Sequence, residues 1–146
     1  MVNMSMDENR PAYLPEIWGG IESSINRVNN QYRDQLQYTG HYGRPGDIDL
    51  FANLGVSAIR YPVLWEHHQH TEEGAIDWRW ITRQLDQLRK RNVEPIAGLL
   101  HHGSGPAFTD LLDEHFAFKF SAYARKVARQ FPWLTYYTPI NEPLTT

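Results

Sequence analysis

A chain of 146 residues, 41% hydrophobic and 13% aromatic, is too apolar for a disordered segment and has the size of one globular domain or part of one. Its formal net charge of −3 offers no basic footprint for nucleic acid and no polybasic patch for a membrane surface. The absence of cysteine excludes disulfides and thiolate metal sites.

The first twelve residues form a polar leader, with Asp7 and Glu8 where a secretory signal would need a continuous apolar core. No apolar run approaches the roughly 18 residues needed to span a bilayer, so a cytoplasmic protein is expected. Four apolar or β-branched runs then follow as candidate buried strands, at 16–21, 57–65, 95–100 and 134–140. Between the first two, a short helix is predicted from Asp47 to Gly55, with Ile48, Phe51 and Leu54 spaced by threes. Trp78, Ile81, Leu85 and Leu88 share a helical face in the next gap, with Asp77 placed to cap its start. Phe116, Phe120, Tyr123 and Val127 repeat that spacing in the third, and Pro132 ends it.

Strands alternating with helices call for a parallel sheet joined by right-handed crossovers. The strand centres fall about forty residues apart, longer than a minimal βαβ unit, and most of the excess lies after the strands. Those connections, at 26–46, 66–76 and 101–112, are rich in His, Asn, Gly and Trp. Function concentrated after strand ends favours a (β/α) barrel, although a doubly wound open sheet obeys the same rule. No Gly-x-Gly-x-x-Gly follows the first strand, and Gly103-Ser104-Gly105-Pro106 lacks the Lys-Ser/Thr ending of a phosphate-binding loop, so no cofactor is expected.

Glu142 directly follows the fourth apolar run, between Asn141 and Pro143, where a barrel places catalytic groups. A carboxylic acid there suits protonation of a glycosidic oxygen, and Asn141 could hold a sugar hydroxyl beside it; a solvated loop Glu is the plainer alternative. Arg60 lies within an apolar strand and must be paired, either structurally with Glu22 or Glu142 or as part of a site. Trp65 is a sugar-stacking platform or core packing. Glu22 and Glu66 each end a predicted strand and could pair with Glu142. His101 and His102 are adjacent, so on a strand they point to opposite faces and only one can enter a pocket. His67, His68 and His70 form no helical metal-binding pair, and no metal is expected.

Four stretches together resemble glycoside hydrolase family 1, the retaining β-glucosidase-like enzymes, from about Leu14 onward. They are Trp18-Gly19-Gly20-Ile21-Glu22-Ser23-Ser24-Ile25-Asn26, Ile59-Arg60-Tyr61-Pro62-Val63-Leu64-Trp65, Glu94-Pro95-Ile96-Ala97-Gly98-Leu99-Leu100-His101 and Tyr136-Tyr137-Thr138-Pro139-Ile140-Asn141-Glu142-Pro143. The resemblance implies an α/β chain forming about four β/α units, the first half of a (β/α)8 barrel, over 13–146. It implies Glu142 as acid/base, Arg60 beneath the nucleophile, and His101 and Asn26 on the sugar. His102 stands where many members have Trp, Gly103 where Asp often follows, and Asn26 is one methylene shorter than the family's Gln. The runs at 60–66, 101–106 and 141–146 are also similar to a family-1-like region that precedes a dTDP-4-dehydrorhamnose reductase-like domain in bacterial proteins.

Retaining hydrolysis needs a second carboxylate as nucleophile, which the family draws from a later strand. The expectation is therefore a half-site for a carbohydrate substrate, inactive alone, with self-association or pairing with the missing half. The rival is a non-catalytic carbohydrate-binding or scaffold domain of a sugar-nucleotide enzyme.

Overall fold

The computed structural model describes residues 15–144; the polar leader, Thr145 and Thr146 lie outside the described residues. Four parallel strands form one sheet: β1 (Trp18–Gly20), β4 (Ala58–Pro62), β5 (Glu94–His101) and β6 (Tyr136–Asn141), in that order across the sheet. Their register brings Gly20 beside Arg60, Arg60 beside Ile96, and His101 beside Asn141. Strands that neighbour one another in chain order, with no reversal, are the barrel arrangement rather than the doubly wound one.

Each crossover between these strands carries a helix: α2 (Asp47–Asn53), α4 (Arg79–Lys90) and α5 (Phe116–Gln130). Ile48 of α2, Ile81, Leu85 and Leu88 of α4, and Tyr123 and Val127 of α5 are fully buried in one cluster with Ile59, Tyr61, Ala97 and Leu99. All three helices thus cover the same face of the sheet, as barrel helices do. Trp78 occupies the N-cap of α4, and Asp77, one residue earlier than a true cap, accepts a hydrogen bond from the Arg79 backbone N–H at 3.0 Å. Asn92, at φ 55°, and Gly55, at φ 77°, take the left-handed conformation just past α4 and α2. On the uncovered face Trp18 and Tyr136 are 61% and 53% exposed.

Two segments depart from expectation. The second strand stops at Pro62 rather than running to residue 65, because Trp65 opens the short helix α3 (Trp65–His68). Within the long connection after β1, β2 (Ile25–Val28) and β3 (Gln31–Asp34) form an antiparallel hairpin, followed by α1 (Gln35–Tyr38). Asn29 and Asn30 turn it at φ 50° and 59°, the paired positive angles of a tight two-residue loop that Asn tolerates. Asp34 then caps α1, accepting from the N–H groups of Leu36 and Gln37. Arg27 Nη2 donates to the Thr109 carbonyl and Tyr32 Oη to that of Gly105, tying the hairpin to the loop after β5.

Candidate active site

The chemistry-bearing side chains gather at the C-terminal ends of the parallel strands. Arg60 leaves β4 over Gly20, where an added Cβ would stand 3.7 Å from its Nε, so the small residue on β1 gives the guanidinium room. Arg60 Nη1 donates a short hydrogen bond to Asn141 Oδ1, and Asn141 Nδ2 in turn lies 3.0 Å from His102 Nε2. Asn141 is the side chain between Arg60 and His102, and it is buried to 7% exposure. Glu142, next along the chain, takes φ 50° and places Oε2 3.9 Å from the same His102 nitrogen, with its side chain 65% exposed.

A second set joins this one. His101 is 3% exposed; its Nδ1 lies 3.2 Å from Ser23 Oγ and its Nε2 2.9 Å from Glu22 Oε1. Burial lowers the His101 pKa most, opposed by the Glu22 carboxylate and reinforced by Arg60 and His102, so this imidazole is neutral near pH 7. Burial works to raise the Glu22 pKa, but the Ser24 hydroxyl and the two nearby histidines outweigh it and hold the carboxyl below its usual range.

Arg60, His101, Asn141 and Glu142 therefore lie together at one sheet end. Asn26 does not join them: it is exposed on β2, in a separate depression lined by Ser24, Arg33, Gln35 and Tyr38. An Asn that follows the first strand by six residues has been carried off by a hairpin invisible in the apolar pattern. Trp65 is 0% exposed, its ring packed on Phe108, Phe116, Phe120 and Tyr123 and its Nε1 donating to Gln69 Oε1, so no ring face is open to a sugar. Of the two roles open to it, core packing is the one it fills. The opposed directions expected for His101 and His102 are also overturned. His102 lies past the strand end at φ 51°, which breaks the alternation and brings the two rings to 5.0 Å.

Glu66, which the sequence offers as an alternative carboxylate, is a buried group. Its Oε1 accepts the Gly105 N–H at 3.0 Å, its Oε2 is buried without a hydrogen-bond partner among the described residues, and burial pushes its pKa up to about 7. It stands behind the loop that follows His102, on the wall of a cavity of about 390 Å³ that also includes Tyr32, Asp34 and His67. Gly103 is required by this packing: a Cβ there would overlap Glu66 Oε1 and sit 2.8 Å from the Ile25 carbonyl. Gly103→Ala is accordingly expected to cost about 1–3 kcal/mol, measured as a shift in the denaturation midpoint; an unchanged midpoint would rule out this contact. A larger concavity, about 700 Å³, lies around Trp78 and Arg79 at the start of α4 and shares no residue with the strand-end cluster.

No protein-family model matches the chain. Coniferin β-glucosidase of Pinus contorta is 24% identical over 137 residues, covering 88% of this chain and 27% of that protein. A 6-phospho-β-galactosidase of Streptococcus mutans is 28% identical over 104 residues, covering 67% of this chain and 22% of its own length. The chain thus spans about a quarter of the length of the curated relatives it matches. Among solved structures, the family 1 β-glucosidase of Thermotoga maritima superposes with a TM-score of 0.61 at 24% identity, over 70% of this chain and 25% of that one. The Pseudomonas stutzeri endoglucanase gives 0.56 at 22% identity, over 68% of this chain and 33% of that one. The likeness is to family 1 β-glucosidases, at low identity. The glycosidase-like chain has the α/β fold of part of a TIM barrel, and among its described residues no helix is long and apolar enough to cross a membrane.

Proposed function

We propose that this segment supplies the acid/base half of a retaining β-glycosidase site. The observation that supports it most directly is the bond from Arg60 on β4, across β5, to Asn141 on β6, which ties down the residue before Glu142 at the C-terminal end of its strand. In this reading Glu142 protonates the departing glycosidic oxygen and later activates water, while Asn141 and His101 hold sugar hydroxyls. Arg60 positions the second carboxylate, which acts as nucleophile and comes from another part of the protein. The two carboxyl groups of such a pair stand about 5–5.5 Å apart. Asn26 and Trp65 are left out of the pocket. Trp18 and Tyr136, bare on the uncovered sheet face, are the apolar groups that pairing with further strands would cover. The non-catalytic carbohydrate-binding alternative has no observation of its own in its favour.

The test is hydrolysis of aryl β-glucosides by a protein carrying this segment together with a second carboxylate. Glu142→Gln is expected to slow substrates with poor leaving groups by about 10²–10⁴-fold, the usual contribution of general acid catalysis, and to affect strongly activated ones far less. Equal rates for wild type and variant remove Glu142 from the mechanism. The 146-residue chain assayed by itself is expected to turn over negligibly, because protonation without a nucleophile cannot complete the covalent step.

A further inference from the structure

The glycosidase reading uses His101 but gives no role to Glu22 or to His102, which stand beside it. One ligand-capable atom from each of Glu22, His101 and His102 lies within 4.8 Å of the other two. We propose that these three residues form a binding site for one divalent transition-metal ion, for which Zn²⁺ is the best match.

The donor set decides the class of ion. Two imidazole nitrogens and one carboxylate oxygen suit Zn²⁺ and its neighbours, whereas Mg²⁺ and Ca²⁺ take shells made almost wholly of oxygen. In a tetrahedral zinc site with bonds of about 2.0–2.2 Å, ligand atoms stand roughly 3.3–3.5 Å apart. His101 Nε2 and Glu22 Oε1 are already at 2.9 Å, so this edge needs only slight widening. His102 and Glu22 supply the adjustment, with side chains 28% and 55% exposed, while His101 is held at 3%.

The state of His101 points independently to an ion. Among the described residues its Nε2 is buried without a well-aligned hydrogen-bond partner, with the Glu22 carboxylate oxygen 2.9 Å away. A buried ring nitrogen without an aligned partner is unfavourable, and a metal ion shared with that oxygen would satisfy it. On the opposite side of the ring, Nδ1 meets Ser23 Oγ at 3.2 Å. A ligating histidine typically donates its other N–H to such an oxygen, which fixes the tautomer and directs the remaining lone pair at the metal.

His102 joins only because its left-handed backbone turns its ring toward His101. A neutral imidazole has one ring lone pair, so an ion bound at Nε2 would displace the Asn141 amide now 3.0 Å away. Glu142 Oε2, 3.9 Å from that nitrogen, is within reach of the fourth position. The positive charge of Arg60, close enough to depress His101, works against the ion, and the Glu22 carboxylate offsets it. Because His101 is the shared residue, metal and sugar are competing occupants of one strand end.

Calorimetric titration of the chain with ZnCl₂ near pH 7.5, repeated with Co²⁺ for its visible tetrahedral band, tests the site directly. One ion per chain is expected, with the band present. Glu22→Gln and His102→Asn should each weaken binding by about tenfold or more, since losing a ligand costs at least as much as losing an outer-shell partner. Asn is chosen at residue 102 because it tolerates the left-handed conformation. His70→Asn, in the other histidine cluster, should leave binding unchanged. Absence of saturable binding, or affinity unaltered in either ligand variant, overturns the proposal. Circular dichroism confirms that each variant is folded, and if His102→Asn is not, the exposed Glu22→Gln decides alone. The readout is metal binding, so its failure leaves the glycosidase reading intact, and loss of that reading leaves the metal site intact.

Discussion

Trp65→Ala is expected to lower the stability of the fold by about 3–5 kcal/mol, the range for truncating a large buried aromatic residue. The indole is 0% exposed and its ring meets Phe108, Phe116, Phe120 and Tyr123 at centroid distances of 5.6–5.8 Å. Alanine would remove the transfer energy of the indole and leave a void that rings held by α5 cannot collapse to fill. It would also leave Gln69 Oε1 without the Nε1–H donor at 3.0 Å. Since small domains have only about 5–15 kcal/mol in total, the variant should approach unfolding at moderate temperature. Urea titration followed by near-ultraviolet circular dichroism measures the loss. A cost below about 1 kcal/mol would mean that the ring is not in the core and would restore it as a candidate sugar platform.

Glu66→Gln should do the opposite, raising stability at pH 8 and leaving it nearly unchanged at pH 4.5. The buried carboxyl of Glu66 has its pKa lifted from 4.5 to about 7, chiefly by burial and only partly countered by backbone N–H groups including that of Gly105. The folded state therefore holds the proton more tightly than the unfolded one. Below about pH 4.5 both states are protonated and the group costs nothing for its charge; between 4.5 and about 7 the unfolded chain ionises first and folding becomes progressively less favourable. Integrated over that window the loss has an upper limit of about 3 kcal/mol. Glutamine carries no charge, keeps an oxygen for the Gly105 N–H, and escapes the penalty. Thermal unfolding of both proteins from pH 4.5 to 8 should show curves that coincide at the acid end and separate as pH rises. Parallel curves would show that Glu66 is not confined as its environment indicates.

The hairpin shows where reading by period fails. Ile25 to Val28 and Gln31 to Asp34 are each four residues long, and β3 has no buried residue, so no alternation marks them. The signal was the pair Asn29-Asn30, residues suited to two successive positive φ angles. Longer elements left clearer marks. The α4 stripe and the eight-residue β5 follow from apolar spacing because their buried faces must be continuous.

From residue order alone, this protein's parallel strands, its three crossover helices, the in-strand position of Arg60 and the strand-end positions of His101, Asn141 and Glu142 could be read, because each depends on periodicity or on position within an apolar run. Tertiary structure decided which neighbours those groups meet. It put Trp65 in the core and Asn26 on a hairpin, joined Arg60 to Asn141, and brought His102 back to His101 and Glu22. Those outcomes depend on left-handed turns at single residues and on the space left by Gly20 and Gly103, where one backbone angle or one missing Cβ redirects a side chain without altering the hydrophobic pattern.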